Sequence, residues 1–410
     1  MLKFLPLLAL VLAASAQAAD TLVDGVPLPA DASTTIQQQW AGAWVGARGG
    51  TFKHILVVES VTEDGHPKVI YATGDNPQRG FKPKWTRFDA TVANQNLKIV
   101  NGGLSVTYHL TAIGTMNAVY TIGNGHSYAT LSKHDLAELT TPGTVVQWTR
   151  GQSERLQTDL VKDSKPARLE VVTFRPPGQG PFPLAVLNHG STGRGTDPTL
   201  FTRTWSNPDI AEFLNERGWI VAFPQRRGRG KSDGLYDEGF STDRAQGYTC
   251  DPDRSLAGAE RALQDIDAAI SALQHRPDVA PAPILIGGQS RGGILSVAYA
   301  GRHPEQVAGV INFVGGWVAF GCATPSQINQ TLFDYGGAFH KPTLWLYGQG
   351  DPFYPIRHSR ENFASFLKAG GQGNFLEFEV PGRTGHEVIA DAELWQPPLA
   401  AYLDANAAIK

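Results

Sequence analysis

The stretch Ile284 to Leu295, "ILIGGQSRGGIL", is the part of the sequence that indicates the fold most clearly. An apolar run ends just before Ser290, and "RGGILSVAYAGRH" continues from it as a helical pattern. A G-x-S-x-G pattern between a buried strand and a helix is typical of a nucleophile elbow, a sharp turn that exposes a serine hydroxyl above a parallel sheet. Gly288 and Gly292 suit this turn because it leaves little room for side chains. Ser290 is therefore the first candidate nucleophile.

The same pattern occurs once more, around Ser232 in "GKSDG". Here "PQRRGRG" separates the serine from the preceding apolar run, and the turn-rich "DGLYDEGF" follows it. A serine in this context is predicted to lie in a loop or to cap a turn. The letters Gly230-Lys231-Ser232 also resemble the end of a P-loop, but the first glycine of that motif would fall at Gln225, so the match fails.

Apolar strand runs alternate with helical stretches on both sides of the elbow, from about residue 165 onwards. The runs "PLAVLNH", "WIVAFP", "PILIGG", "VAGVINFVGG" and "PTLWLYG" are separated by segments such as "SLAGAERALQDIDAAISALQH". Apolar residues in the latter recur three and four apart, which indicates an amphipathic helix. This alternation predicts an α/β fold with a doubly wound, mostly parallel sheet. Functional groups on such sheets collect at the carboxyl ends of the strands.

A serine nucleophile needs a base, and the base needs an orienting acid. Asp351 follows the strand run "PTLWLYG", and His386 follows the last strand run, "NFLEFEV". Both residues thus follow strand runs, as Ser290 does, at the edge of the sheet where functional groups collect. We therefore predict these three as the catalytic residues. Three other histidines after the serine lie at helix ends or before a strand and are predicted to be structural: His303, His340 and His358.

The tetrahedral intermediate of acyl transfer needs amide donors for its oxyanion. The backbone N–H of Arg291, directly after the serine, is predicted to be one. The other is predicted in the loop after "LAVLNH", at Gly190 or Ser191, with Ser191 the preferred donor. His189 precedes this loop and is predicted to fix it rather than to act as a base.

Four aromatic residues on nearby loops are predicted to line an apolar or aromatic substrate pocket, with ordinary loop packing as the alternative: Trp317, Phe320, Phe353 and Tyr354. The two cysteines, Cys250 and Cys322, also follow strand runs. In an oxidising compartment they could pair across the pocket wall, and two buried free thiols are the alternative.

A different pattern precedes the alternating region. Short β-rich runs such as "FKHILVVESV" and "KVIYATG" are separated by turn signals such as Asp64-Gly65. This spacing predicts a smaller antiparallel all-β domain, either a barrel or a sandwich. The length of 410 residues also favours two domains. We predict the β domain over residues 19–150 and the catalytic domain over residues 151–410.

The first 18 residues have the features of a signal peptide. Lys3 precedes the apolar run "FLPLLALVLAA", and "AQA" ends at Ala18. We expect cleavage near Ala18 and a periplasmic or secreted protein, with a buried first helix as the alternative. The formal net charge of −3 and the lack of a long basic run argue against a nucleic-acid partner. No later run is apolar and long enough to predict a membrane span.

Five motifs carry a resemblance to a known superfamily: "NHGSTG", "RRGRGKSDG", "GGQSRGG", "GQGDPFYP" and "GRTGH". Residues of about 165–405 resemble an α/β-hydrolase of the dienelactone-hydrolase-like and prolyl-oligopeptidase-like branch. The opening of the β region, "WAGAWVG" from Trp40 to Gly46, is similar to the start of a lipocalin-type barrel. Peptidases of this branch usually carry a much larger propeller, so the small β region disfavours a peptidase.

The function expected is that of an exported serine esterase. It would cleave a small-molecule or polymer-derived carboxylic ester through an acyl-enzyme, and it would need no metal or other cofactor. One alternative is a serine peptidase or amidase with the same three catalytic residues. Another is a non-catalytic binding protein with a degenerate hydrolase domain.

Overall fold

The structure is a computed structural model that describes most of the chain. The described residues are 20–34, 39–48, 52–61, 66–77, 80–93, 96–111, 114–123, 125–148, 151–381, 383–406 and 409. The predicted signal peptide lies outside them. None of the helices formed by these residues has both the length and the apolar character needed to cross a membrane.

The N-terminal part is a single antiparallel sheet of nine strands, preceded by a hairpin of β1 (Thr21–Val23) and β2 (Val26–Leu28). The sheet comprises β3 (Gly42–Arg48), β4 (Phe52–Val61), β5 (Pro67–Thr73), β6 (Lys84–Asp89), β7 (Thr91–Ala93), β8 (Asn96–Asn101), β9 (Leu104–Leu110), β10 (Thr115–Ile122) and β11 (Gly125–His134). Their order is β6-β5-β4-β3-β11-β10-β9-β8-β7. The two ends of this order, β6 and β7, are consecutive in the chain, with Ala90 alone between them.

This sheet is an up-and-down meander that closes almost completely into a barrel. Each strand from β3 to β6 and from β7 to β11 pairs with the next one, and β3 pairs with β11. Alternate residues of the strands form one buried cluster, as expected when successive side chains point to opposite faces. Its members include Trp44, Leu56, Val58, Val69, Leu97, Ile99, Val106, Met116, Ala118 and Leu131. The predicted antiparallel β region is confirmed, while its lipocalin-type character stays a prediction.

The C-terminal part is an eight-stranded sheet. It comprises β12 (Gln152–Lys162), β13 (Lys165–Phe174), β14 (Leu184–Asn188), β15 (Ile220–Pro224), β16 (Ile284–Gln289), β17 (Val307–Phe313), β18 (Pro342–Gly348) and β19 (Gln372–Phe378). The order is β12-β13-β15-β14-β16-β17-β18-β19. The pairs β12–β13 and β13–β15 are antiparallel, and all the others are parallel. The predicted mostly parallel sheet is therefore confirmed.

Helices connect and cover these strands. They are α1 (Leu136–Leu139), which follows the barrel, then α2 (Pro208–Asn215), α3 (Pro252–Gln274), α4 (Arg291–Arg302), α5 (Pro325–Tyr335), α6 (Ile356–Lys368) and α7 (Ala392–Ala405). The longest, α3, begins where the Asp251 side chain accepts the N–H of Arg254. Its apolar stripe is buried, as the periodicity predicts. The predicted domain boundary at residue 150 falls between α1 and β12 and stays a prediction.

The side chain of His54 lies inside the barrel. It is 1 % exposed, its Nδ1–H donates to the carbonyl of Ala72 at 3.0 Å, and its Nε2 accepts from the Tyr108 hydroxyl at 2.9 Å. Burial lowers the pKa of His54 from 6.5 to about 3. The imidazole is therefore neutral at neutral pH.

This shift predicts that acid destabilises the barrel through His54. As the pH falls below about 6.5, the unfolded chain takes up a proton on His54 that the folded protein does not bind until about pH 3. Between pH 7.5 and pH 5 the free energy of unfolding should fall by about 2 kcal/mol more in the wild type than in His54→Gln. Urea denaturation of both proteins at the two pH values measures this difference. An equal fall in both proteins would contradict the assignment.

Candidate active site

Ser290 forms the turn between β16 and α4. Its backbone has φ 57° and ψ −122°, a conformation that residues other than glycine rarely adopt. The Ser290 N–H donates to the carbonyl of Phe313 on β17 at 2.9 Å, and the Ser290 carbonyl accepts the N–H of Gly293 at 3.0 Å. The strained turn is thus held from both sides, as expected of a nucleophile elbow.

Close backbone packing explains the glycines of the elbow. A Cβ on Gly292 would lie 2.0 Å from the carbonyl oxygen of Asn188, at the end of β14, and one on Gly288 would lie 2.5 Å from the same oxygen. No real Cβ is found at such distances, so any side chain at either position would push the elbow away from the sheet. The pattern G-x-S-x-G is therefore a packing requirement at this turn.

Asp351 and His386 lie after β18 and β19, the two strands predicted to carry them. Nδ1 of His386 lies 2.8 Å from Oδ2 of Asp351, and the Asp351 carboxylate is almost completely buried. Its other oxygen, Oδ1, accepts the backbone N–H groups of Phe353 at 2.8 Å and Tyr354 at 3.0 Å. An imidazole that donates Nδ1–H to a carboxylate keeps Nε2 as a proton acceptor.

The loop that carries His386 is fixed to the sheet and to the elbow. The Gln289 side-chain amide donates to the carbonyl of His386 at 3.2 Å. A Cβ on Gly385 would lie 2.3 Å from the carbonyl oxygens of Gly348 and Gln349, so the glycine before the histidine lets the loop cross the end of β18.

Ser290 and His386 line one cavity of about 740 Å³ at the carboxyl ends of the strands. Three of the four aromatic residues predicted for a pocket line it: Trp317, Phe353 and Tyr354. Phe320 does not belong to the lining and is a correction to that prediction. The residue is 53 % exposed, and its ring packs at a tilt on the His358 ring, with 5.5 Å between the ring centroids.

The loop after β14 lies directly beside the elbow. Gly190 and Ser191 both line the cavity, and a Cβ on Gly190 would lie 3.2 Å from Cβ of Ser290. His189 is fully buried, donates Nδ1–H to the Gly190 carbonyl at 2.8 Å and accepts the backbone N–H of Arg226 on Nε2 at 3.2 Å. Burial, followed by the charge of Arg226, lowers the pKa of His189 well below its ordinary value. It is therefore a neutral group that holds the loop.

Ser232, the serine of the second G-x-S-x-G pattern, forms hydrogen bonds to backbone groups outside the cavity. Its Oγ donates to the carbonyl of Gln225 at 2.6 Å and accepts the backbone N–H of Glu170 on β13 at 2.8 Å. It is not among the residues that line the cavity. These bonds tie the loop after β15 to the neighbouring strand.

A buried charge cluster supports the floor of the cavity, and the sequence reasoning missed it. Nε of Arg226 lies 2.5 Å from Oε1 of Glu238, and Nη1 of Arg291 donates to the Glu238 carbonyl at 2.8 Å. The Arg291 guanidinium carbon lies 3.7 Å from the ring centroid of Tyr248 and 4.2 Å from that of Trp317. In the sequence, the arginine inside the elbow pattern, Arg291, is the signal for this cluster.

The structure joins Cys250 and Cys322 in a disulfide with Cα atoms 5.4 Å apart. The bond links the loop before α3 to the loop before α5, and Thr249 and Cys322 both line the cavity. The bridge therefore forms part of the cavity wall.

Comparison with known proteins identifies a matching family model. A family model described as serine aminopeptidase, S33, matches residues 204–319. No curated protein matches the chain. The strand order and the elbow are those of an α/β-hydrolase fold, and the family model matches the part of the chain that contains the elbow. The dienelactone-hydrolase-like branch stays a prediction, since the matching model has another description.

Solved structures of hydrolases are also similar. Est1E of Butyrivibrio proteoclasticus with bound ferulic acid is 17 % identical, covers 62 % of this chain and 99 % of its own, and has a TM-score of 0.44. The esterase Pf2001 of Pyrococcus furiosus is 14 % identical, covers 65 % and 96 %, and has a TM-score of 0.45. These values say nothing about the substrate of this chain.

The disulfide should contribute measurably to stability. It closes a loop across a sequence separation of 72 residues, and the loop-entropy relation gives up to about 4 kcal/mol for such a loop. The double variant Cys250→Ser, Cys322→Ser should lose free energy of unfolding on this scale in urea denaturation. Adding a reductant should shift the wild type towards the variant and leave the variant unchanged. A wild type insensitive to reduction, with a variant of equal stability, would contradict the expectation.

Proposed function

We propose that this protein is an exported serine hydrolase that cleaves carboxylic esters. The observation that carries the proposal is the His386–Asp351 hydrogen bond of 2.8 Å beside Ser290, with Ser290 and His386 open to one cavity. An imidazole oriented by a buried carboxylate is the arrangement that activates a serine hydroxyl.

In the proposed reaction, Ser290 Oγ attacks the ester carbonyl carbon, and Nε2 of His386 accepts the hydroxyl proton. Asp351 stabilises the imidazolium that results. The tetrahedral intermediate then collapses, the C–O bond to the alcohol breaks, and the alcohol leaves with the proton from His386. The imidazole then removes a proton from water, which attacks the acyl carbonyl carbon. The bond from this carbon to Ser290 Oγ breaks, the acid leaves, and His386 returns the proton to Oγ.

The oxyanion would be held by two backbone N–H groups. Arg291 is the first residue of α4, and the first N–H groups of a helix have no partner within it. The helix N-terminus also favours negative charge. The second N–H would come from Ser191, with Gly190 as the alternative, because both line the cavity next to Ser290.

The charge of the cavity favours an ester over an aminopeptidase substrate. An aminopeptidase must hold a cationic α-amino group, and a carboxylate is the usual partner of such a cation. Among the described residues that line the cavity there is no aspartate or glutamate, whereas three are arginines: Arg194, Arg229 and Arg291. Aromatic walls at Trp317, Phe353 and Tyr354 suit the apolar part of an ester.

Export is the second element of the proposal. The signal-peptide features at residues 1–18 predict it. The Cys250–Cys322 disulfide supports it, because disulfides persist in oxidising compartments.

The two serines of the repeated pattern provide a matched test. Ser290→Ala should lower kcat/KM for 4-nitrophenyl acetate by at least about 1,000-fold, since the nucleophile is lost. Ser232→Ala, which removes only structural hydrogen bonds, should remain active at a temperature below its unfolding midpoint. Loss of activity in Ser232→Ala alone, with Ser290→Ala active, would overturn the assignment.

The same assay separates the alternatives. A wild type faster on aminoacyl 4-nitroanilides than on matched aminoacyl esters would favour the peptidase. A wild type that hydrolyses neither and is not labelled by a fluorophosphonate would favour a binding protein.

A further inference from the structure

Arg229 is a buried cation in the cavity wall without a carboxylate at hydrogen-bond distance among the described residues. The residue is 7 % exposed and lines the cavity. Its Nε donates to the carbonyl of Arg203 at 2.8 Å, and its Nη1 is buried with no hydrogen-bond partner. Leaving a buried donor on a charged group unsatisfied is costly, so this feature calls for an explanation.

The described charged residues near Arg229 do not provide it with a carboxylate partner of its own. Arg226 and Arg291 both pair with Glu238, which is therefore already shared between two guanidinium groups. With Arg229 the cluster holds three cations and one anion. Burial lowers the pKa of Arg229, but an arginine stays protonated in proteins. The cluster therefore keeps an excess of positive charge beside the proposed nucleophile.

The rest of the cavity lining adds to this excess of positive charge. Arg194, which is exposed, adds another cation to the lining. Trp205 and Tyr248 add apolar surface to the same wall. A guanidinium in a partly apolar wall is a good partner for a planar anion, because its fork can donate two parallel hydrogen bonds.

We propose that the substrate is an ester carrying a free carboxylate, and that Arg229 binds this carboxylate with Arg194 at the cavity mouth. The proposal rests on the proposed esterase function and names its substrate class. Arg229 is in this sense a specificity-determining residue, since the carboxylate would pair with a guanidinium that has no carboxylate partner among the described residues.

The test compares esters that differ only in the charged group. On the acyl side, mono-4-nitrophenyl glutarate is compared with its methyl ester. On the alcohol side, 4-acetoxybenzoate is compared with its methyl ester. We expect kcat/KM to favour the acid by about 10-fold or more in at least one pair, the scale of a hydrogen bond between charged groups. A wild type without preference for either acid would overturn the proposal.

The variants assign the preference to one residue. Arg229→Gln should reduce the acid-to-methyl-ester ratio of kcat/KM by about 10- to 100-fold. Arg203→Gln is the matched control, because Arg203 is an exposed neighbouring arginine that does not line the cavity and contacts Arg229 through its backbone carbonyl. It should keep the wild-type ratio. If Arg229→Gln does not fold, Arg229→Lys should show a smaller reduction. An unchanged ratio in the folded Arg229 variant would overturn the proposal.

A binding measurement separates this inference from the esterase function. Calorimetry on Ser290→Ala should show benzoate binding at least about 10-fold more tightly than benzamide, and Arg229→Gln in that background should abolish the difference. Failure of all esters to turn over, with this binding difference present, would sink the esterase function and support the anion site. Equal binding of the two probes would count against the site even if neutral esters are hydrolysed.

Discussion

The close contact between the elbow and the end of β14 is the constraint on which the site depends. Gly288 and Gly292 both pack on the carbonyl of Asn188, at distances that no side chain tolerates. This contact allows Ser290 to keep φ 57°, with its hydroxyl at the floor of a cavity. It also places the Arg291 N–H at a helix start, beside the loop of Gly190. The proposed nucleophile and the proposed oxyanion donors are thus positioned by one packing interaction.

A second constraint is the buried charge around the same floor. Glu238 holds Arg226 and Arg291 in fixed positions, and Arg226 in turn holds His189 and its loop through the backbone N–H. Buried ion pairs contribute little net stability but are sensitive to the loss of one partner. The cluster therefore holds the site in place, and Arg229, which has no carboxylate partner among the described residues, is the anion site we propose.

The sequence predicted those parts of the site that depend on local context and chain order. Ser290 could be distinguished from Ser232 because strand and helix patterns flank only the former. Asp351 and His386 follow the strands that this order requires, and the structure brings them within 2.8 Å of each other. Phe320 was misplaced because the direction of a loop side chain depends on its neighbours, here His358. Arg229 was missed because nothing local marks an arginine as buried.

The alternation of strands and helices, the elbow and the β-rich N-terminal region are all recognisable in the sequence, because hydrophobic periodicity and turn residues act over a few neighbouring positions. The closure of the β strands through a β3–β11 pair and the contact of Cys250 with Cys322 across 72 residues become visible in the three-dimensional fold. It alone decided that the described cavity lining holds three arginines and no carboxylate. Burial and charge balance arise from contacts between distant segments, which no local pattern encodes.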